Sequence, residues 1–140
     1  MAGAVVVADQ LTKLWAVATL AGGPVHVVDR LLELRLTRNP GGAFSILTGL
    51  TPVLAVLAAV MAVVLVRTTR RTADRVVAYG LALVLGGALG NLIDRLVRSP
   101  GVLRGEVIDF IKLPHWPTFN VADSAITIGV VLIIARGWKS

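Results

Sequence analysis

The chain has 140 residues, 56% of them hydrophobic and only 16% charged, with a formal net charge of +6 and no cysteine. Soluble domains carry about 45–50% apolar and about 25% charged residues, so an ordinary water-soluble domain is a poor fit, and the missing cysteine excludes disulfides, thiolate metal sites and cysteine nucleophiles. On a chain of mean hydropathy +0.81, the basic excess points to an anionic membrane surface rather than to nucleic acid.

A helix needs about 20 residues to cross the hydrocarbon core. Aromatics make up only 5%, and four Ala-, Val- and Leu-rich stretches approach the length, at about residues 1–20, 48–67, 75–97 and 119–137. They predict an all-α membrane protein, one domain over residues 1–140 with four transmembrane helices. The first stretch lacks a basic leading segment and carries Asp9 and Lys13 at its middle, so it is expected to stay as a span rather than be cleaved as a signal peptide. Gly22-Gly23-Pro24 then breaks the helix. Leu32, Leu34 and Leu36 alternate with Glu33, Arg35 and Thr37, a two-residue period that predicts strands. Asn39-Pro40-Gly41-Gly42 is a turn cluster. Residues 22–42 therefore read as a small β-element between the first and second helices. Arg67, Arg70, Arg71 and Arg75 join the second and third spans and mark a cytoplasmic loop. Arg136 and Lys139 agree, so both termini are expected in the cytoplasm, with residues 21–51 and 97–118 outside.

An Asp at the bilayer centre costs about 2.5–3.5 kcal/mol on insertion scales, so the polar residues within the spans need a reason. Asp9 and Lys13 are four apart and can pair on one helix face, either as an internal ion pair or as a substrate contact. The third span ends in a glycine pattern, Gly86 and Gly90, that lets helices approach closely. Asn91, Asp94 and Arg95 follow on one face, and the neighbouring guanidinium is expected to keep Asp94 ionised in a supporting role. Asp109 has apolar neighbours. Asn120 and Asp123 fit a helix N-cap with an acid at N3, and taken alone Asp123 reads as a cap. As a pair, Asp109 and Asp123 offer more. Two carboxylates in a partly dry site titrate apart, so one can act as base and the other as acid. That suffices to hydrolyse an amide without a nucleophilic side chain. His26 and His115 read as lone interfacial residues. Asp109, Asp123 and Asn120 could instead supply oxygen ligands to a metal.

Five motifs occur in order along nearly the whole chain: Asp9-Gln10-Leu11-Thr12-Lys13; Arg38-Asn39-Pro40-Gly41-Gly42-Ala43-Phe44-Ser45; residues 86–95; Val107-Ile108-Asp109-Phe110; and Phe119-Asn120-Val121-Ala122-Asp123. Together they resemble the lipoprotein signal peptidase family (signal peptidase II). The resemblance implies an aspartic endopeptidase of the bacterial cytoplasmic (inner) membrane, working towards the extracytoplasmic face without a cofactor. Its substrates would be prolipoproteins carrying diacylglycerol on a cysteine, cut just before that cysteine, and its partners the surrounding membrane lipids. The family's catalytic aspartates match Asp109 and Asp123. Its supporting residues match Asp9, Lys13, Asn39, Asn91, Asp94, Arg95, Asn120 and Ala122. The β-element resembles the family's extracytoplasmic cradle, and globomycin is expected to inhibit. The connection from Asp109 to Asp123 is short, and an outer helix or loop within it is expected to gate the site. Two other readings stay open: a small transporter or channel subunit, which suits intramembrane charges, and a non-catalytic membrane assembly partner, which suits the glycine-rich third helix.

Overall fold

The computed structural model describes residues 1–41 and 49–138, in the order α1 (Ala2–Thr19), β1 (Val25–Val28), β2 (Leu32–Asn39), α2 (Thr51–Arg71), α3 (Arg75–Val97), β3 (Val107–Lys112) and α4 (Val121–Gly137). Three parts of the sequence reading lie outside the described residues: positions 42–45 of the Asn39 motif, the start of the second predicted span, and Lys139.

The helices start and stop for local reasons. Asp74 caps α3, its carboxylate accepting the backbone N–H groups of Val76 and Val77, which are among the donors that a helix start leaves unpaired. Pro52 sits in the first turn of α2, where its missing N–H costs nothing. Asn120 and Asp123 open α4 with a reciprocal capping box.

Glycine decides how the helices meet. On α3, Gly86 lies against Ala2 and Val5 of α1, and a Cβ at Gly90 would stand 2.5 Å from Asp9 Oδ2. Helices α1 and α3 therefore run side by side in the same direction, joined along the Gly86/Gly90 stripe. Gly87, one position round, faces the Ala122 carbonyl at the start of α4, and Gly80 faces Gly129 and Ile133 further along it. Helix α4 thus runs antiparallel to α3. Helix α2 turns back into α3 through residues 72–74, so α3 is central to the bundle.

The three strands form one antiparallel sheet in the order β1-β2-β3. It stands where α1 ends and α4 begins. Phe110 of β3 is buried with Ala16 of α1 and with Leu20, which caps that helix, and Leu34, Leu36, Ile111 and Val121 pack around them. Trp15 meets Phe110 edge to face, with centroids 6.3 Å apart.

Here the structure corrects the sequence reading. Strands were expected in residues 22–42 alone, and the all-α description omits β3. Its residues Val107 to Phe110 are all buried, so the strand has no polar face and lacks the alternation that revealed β2. The connection to α4 forms a turn-rich loop, not a helix, closed by a bridge between Ile111 and Phe119.

Among the described residues, α2 and α3 are the helices long and apolar enough to cross a bilayer. At 1.5 Å per residue their 21 and 23 residues reach about 32 and 35 Å. Helix α4 has 17 residues, and α1 carries Asp9 and Lys13 among its 18.

Candidate active site

The site forms where β2, β3, the end of α3 and the start of α4 converge. Asp109 lies on β3, 2% exposed. In the sheet register Asn39 of β2 stands opposite Val107, which places it diagonal to Asp109 on the same face. The turn cluster aims Asn39. Its Oδ1 accepts the Gly41 N–H at 3.0 Å, so its Nδ2 is left to donate to Asp109 Oδ2 at 3.0 Å. Thr51 Oγ1 donates to the Pro40 carbonyl at 2.6 Å and ties this turn to the start of α2.

Asn120 joins the two aspartates. Its Nδ2 donates to Asp109 Oδ1 at 2.7 Å, while its backbone N–H donates to Asp123 Oδ2 at 3.2 Å. Asn91 Nδ2 donates to Asp123 Oδ1 at 2.9 Å. Each of the four carboxylate oxygens therefore accepts an N–H, and each keeps a lone pair for a proton or water. Asp123 is a helix cap and a member of the pair at once. The two sequence readings of Asp123 are compatible, because one oxygen serves the cap and the other faces Asn91.

Both aspartates line a cavity of about 280 Å³, together with Asn39, Asn91, Arg95 and Trp116. Burial pushes Asp109 up to about 7, its largest cause, and the neighbouring Asp123 adds to the rise. Hydrogen bonds from Asn39 and Asn120 and the charge of Lys13 pull the other way. A carboxyl poised near neutrality can hold or give up a proton at working pH.

Behind the pair lies a buried charge cluster. The side chains of Lys13, Asp9 and Asp94 are all 0% exposed, and Lys13 Nζ stands 2.7 Å from a carboxylate oxygen of each. It also donates to Asn91 Oδ1 at 2.9 Å. Asp9 and Lys13 thus make the pair expected from their spacing, and Asp94 joins it. The assignment of Asp94 to Arg95 is corrected. Asp94 Oδ1 accepts from Arg98 Nε at 2.8 Å, because residues four apart on a helix face each other whereas adjacent ones do not. Arg95 instead donates from Nη1 to the Asn91 carbonyl at 3.3 Å and lines the cavity. Ala122, fully buried, donates its backbone N–H to Asp9 Oδ1 at 2.9 Å.

His26 is not lone, since its Nε2 lies 3.4 Å from Glu33 Oε2. His115 sits exposed in the loop between β3 and α4 with a φ of 58°. Two participants escaped the sequence reading. Arg98 was legible from its i, i+4 spacing to Asp94. Gln10, which reaches α3 from α1, carried no signal beyond its place in a quoted motif.

The family model described as signal peptidase (SPase) II matches residues 1–139. The lipoprotein signal peptidase of Rhodococcus jostii is 48% identical over 96% of this chain and 68% of its own length. Those of Mycolicibacterium smegmatis and Mycobacterium avium are 43% and 42% identical, each over 96% of this chain and over 58% and 74% of their own lengths. A solved bacterial membrane enzyme, determined in meso at 2.3 Å, superposes with a TM-score of 0.86 at 35% identity, covering 99% of this chain and 85% of that one.

Proposed function

Because this chain belongs to the signal peptidase II family, a family of membrane peptidases that remove signal peptides from prolipoproteins, we propose that Asp109 and Asp123 are its catalytic pair. The observation that carries this reading is the cavity that both aspartates line, with Asn120 hydrogen-bonded to each.

Asp109 starts protonated, since burial holds its proton to about 7. Asp123 takes the part of base, its two oxygens accepting the N–H groups of Asn91 and Asn120, which favour a carboxylate. Asp123 draws a proton from a water held between the two carboxyls, and the resulting hydroxide attacks the scissile carbonyl. Asp109 donates a hydrogen bond to the developing oxyanion. Asp123 then passes the proton it took from the water to the leaving amine as the C–N bond breaks, so both carboxyls return to their starting states. Asn39, Asn91, Asn120 and Arg95 orient the pair and the extended substrate backbone.

The full substrate on this reading is a diacylglyceryl-modified prolipoprotein, cut just before the lipidated cysteine, with its lipid left among the acyl chains. The chain acts as one membrane domain in the bacterial cytoplasmic membrane. All four helices cross, both termini are cytoplasmic, and the sheet forms the extracytoplasmic cradle. Two features support four crossings. Exposed Val7, Leu11 and Leu14 on α1 and Ile128, Val131 and Ile134 on α4 give both shorter helices apolar outer faces. Helix α1 runs parallel to α3, α4 runs antiparallel to it, and residues 72–74 turn α2 back into α3, so the four helices alternate in direction.

The test is cleavage of a lipidated prolipoprotein peptide by the purified protein. Asp109→Asn and Asp123→Asn are expected to insert and to lose cleavage by at least about 10³-fold, as expected for removal of a group acting in the transition state. Substantial retained cleavage in either variant overturns the assignment. Globomycin is expected to block the wild-type protein, and EDTA is expected to leave it active. EDTA sensitivity would revive an oxygen-ligand metal site at the same residues.

A further inference from the structure

The charge cluster behind the pair does more than neutralise itself. A lysine placed only to lower the cost of one buried aspartate needs one partner, yet the three N–H groups of Lys13 meet three oxygens: Asp9 Oδ2 at 2.7 Å, Asp94 Oδ2 at 2.7 Å and Asn91 Oδ1 at 2.9 Å. Each of the two aspartates also accepts a backbone N–H from a distant segment. Asp9 Oδ1 takes that of Ala122 at 2.9 Å, the residue immediately before Asp123. Asp94 Oδ2 takes that of Ile108 at 3.2 Å, the residue immediately before Asp109. The same relation therefore occurs twice, once for each catalytic aspartate, and the two halves meet at one ammonium. Gln10 braces them, its Nε2 lying 3.2 Å from Asp9 Oδ2, 3.1 Å from Asp94 Oδ1 and 3.1 Å from the Gly90 carbonyl.

We propose that Lys13 holds Asp9 and Asp94 as a matched pair of backbone clamps that sets the spacing of Asp109 and Asp123, with Gln10 as the cross-brace. None of the four touches the cavity, so they are positioning residues. Two carboxyls that share a proton around one water tolerate little error, and a displacement of about 1 Å in a catalytic group can cost about 10²-fold in rate. The Ala122 N–H lies in the first turn of α4, where the helix itself offers no acceptor. Asp9, 113 residues away, supplies one. Nothing in the predicted chemistry of the pair requires that link unless its position matters.

The proposal rests on the reading of Asp109 and Asp123 as the catalytic pair, and the experiment separates the two. Gln10→Leu, Lys13→Met and the triple variant Asp9→Asn/Lys13→Met/Asp94→Asn are assayed for kcat and KM on a lipidated prolipoprotein peptide, beside Asp109→Asn and Asp123→Asn. Gln10→Leu is expected to lower kcat by about 10-fold and Lys13→Met by about 100-fold, with KM within about twofold of wild type. The triple variant keeps an oxygen for each backbone N–H and removes the buried ammonium together with its two carboxylate partners, the charge left without its carboxylate being that of Arg98, which is 15% exposed, so its kcat is expected within about tenfold of wild type even if Lys13→Met fails to insert. Wild-type kcat in Gln10→Leu overturns the clamp, as does a rise in KM alone or a triple variant as inactive as Asp109→Asn. Retained cleavage in Asp109→Asn or Asp123→Asn overturns the catalytic pair instead, whatever the clamp variants do.

Discussion

The chemistry of single residues turns on Asp109. Its proton is bound below about 7 and lost above it, so a mechanism that starts with Asp109 protonated loses activity as pH rises through that value. The pH profile of kcat/KM is expected to show an alkaline limb near 7, and a flat profile from 6 to 9 contradicts this assignment. Asn39 supplies a test of sign. Its N–H favours the ionised carboxylate and lowers the value. Asn39→Ala is therefore expected to move the alkaline limb upward by about one pH unit, since a hydrogen bond to a charged group contributes about 1.5–3 kcal/mol and one unit corresponds to about 1.4 kcal/mol. At this scale the sequence was informative about identity and poor about partners. The i, i+4 spacing of Asp9 and Lys13 predicted their ion pair. No local spacing announced that Lys13 would also meet Asp94, 81 positions on, because that contact depends on how α1 lies along α3.

At the scale of elements, α3 is the axis on which the site is built. Its glycines allow α1 and α4 to approach within contact of its backbone, and that approach brings Asp9 against Gly90 and Ala122 against Gly87. A Cβ at Gly87 would collide with the Ala122 carbonyl, where the backbone cannot give way as a flexible side chain could. Gly87→Val is expected to destabilise the protein by about 1–3 kcal/mol through overpacking, read as a lowered Tm in detergent, and to reduce cleavage because α4 carries Asp123. An unchanged Tm and unchanged cleavage would show that α4 can shift without cost. The glycine pattern told of close helix packing in advance. It did not tell that Gly86 and Gly90 serve α1 while Gly87 serves α4, since a stripe of small residues has no partner written into it. Strand β3 stayed hidden for the opposite reason, as burial on both faces removed its period.

Across the whole molecule, the usual arrangement of a soluble protein is inverted. The largest fully buried side chains are Lys13, Ile108, Asn120, Asp9 and Asp94, while Val, Leu and Ile cover much of the surface of α1, α2 and α4. An exposed apolar surface of that extent marks contact with lipid. The polar loop end carries Arg67, Arg70, Arg71 and Arg75, and there Arg136 of α4 pairs with Asp74 at 2.6 Å. That pairing holds the Asp74 carboxyl below its ordinary value. The absence of native cysteine makes the orientation directly measurable. A single cysteine placed as His115→Cys is expected to react with a membrane-impermeant maleimide in intact cells, and Ala73→Cys only after the membrane is opened. The reverse pattern would overturn the orientation.

The sequence by itself determined that the chain belongs to a membrane, and it carried the apolar stretches, the charge pattern and the short list of carboxylates from which the topology and the chemistry are proposed. These are properties of composition, period and charge along the chain, and each is read over a few turns of helix. Only the tertiary structure decided which polar residues meet. The diagonal from Asn39 to Asp109 depends on strand register. The bridge from Asn120 to both aspartates depends on how β3 enters α4. The junction at Lys13 depends on glycines that let three helices close around it. Spacing in the chain could place Asp123 at a helix start, and only the packing of α4 against α3 and β3 made that helix start one wall of the cavity that Asp109 shares.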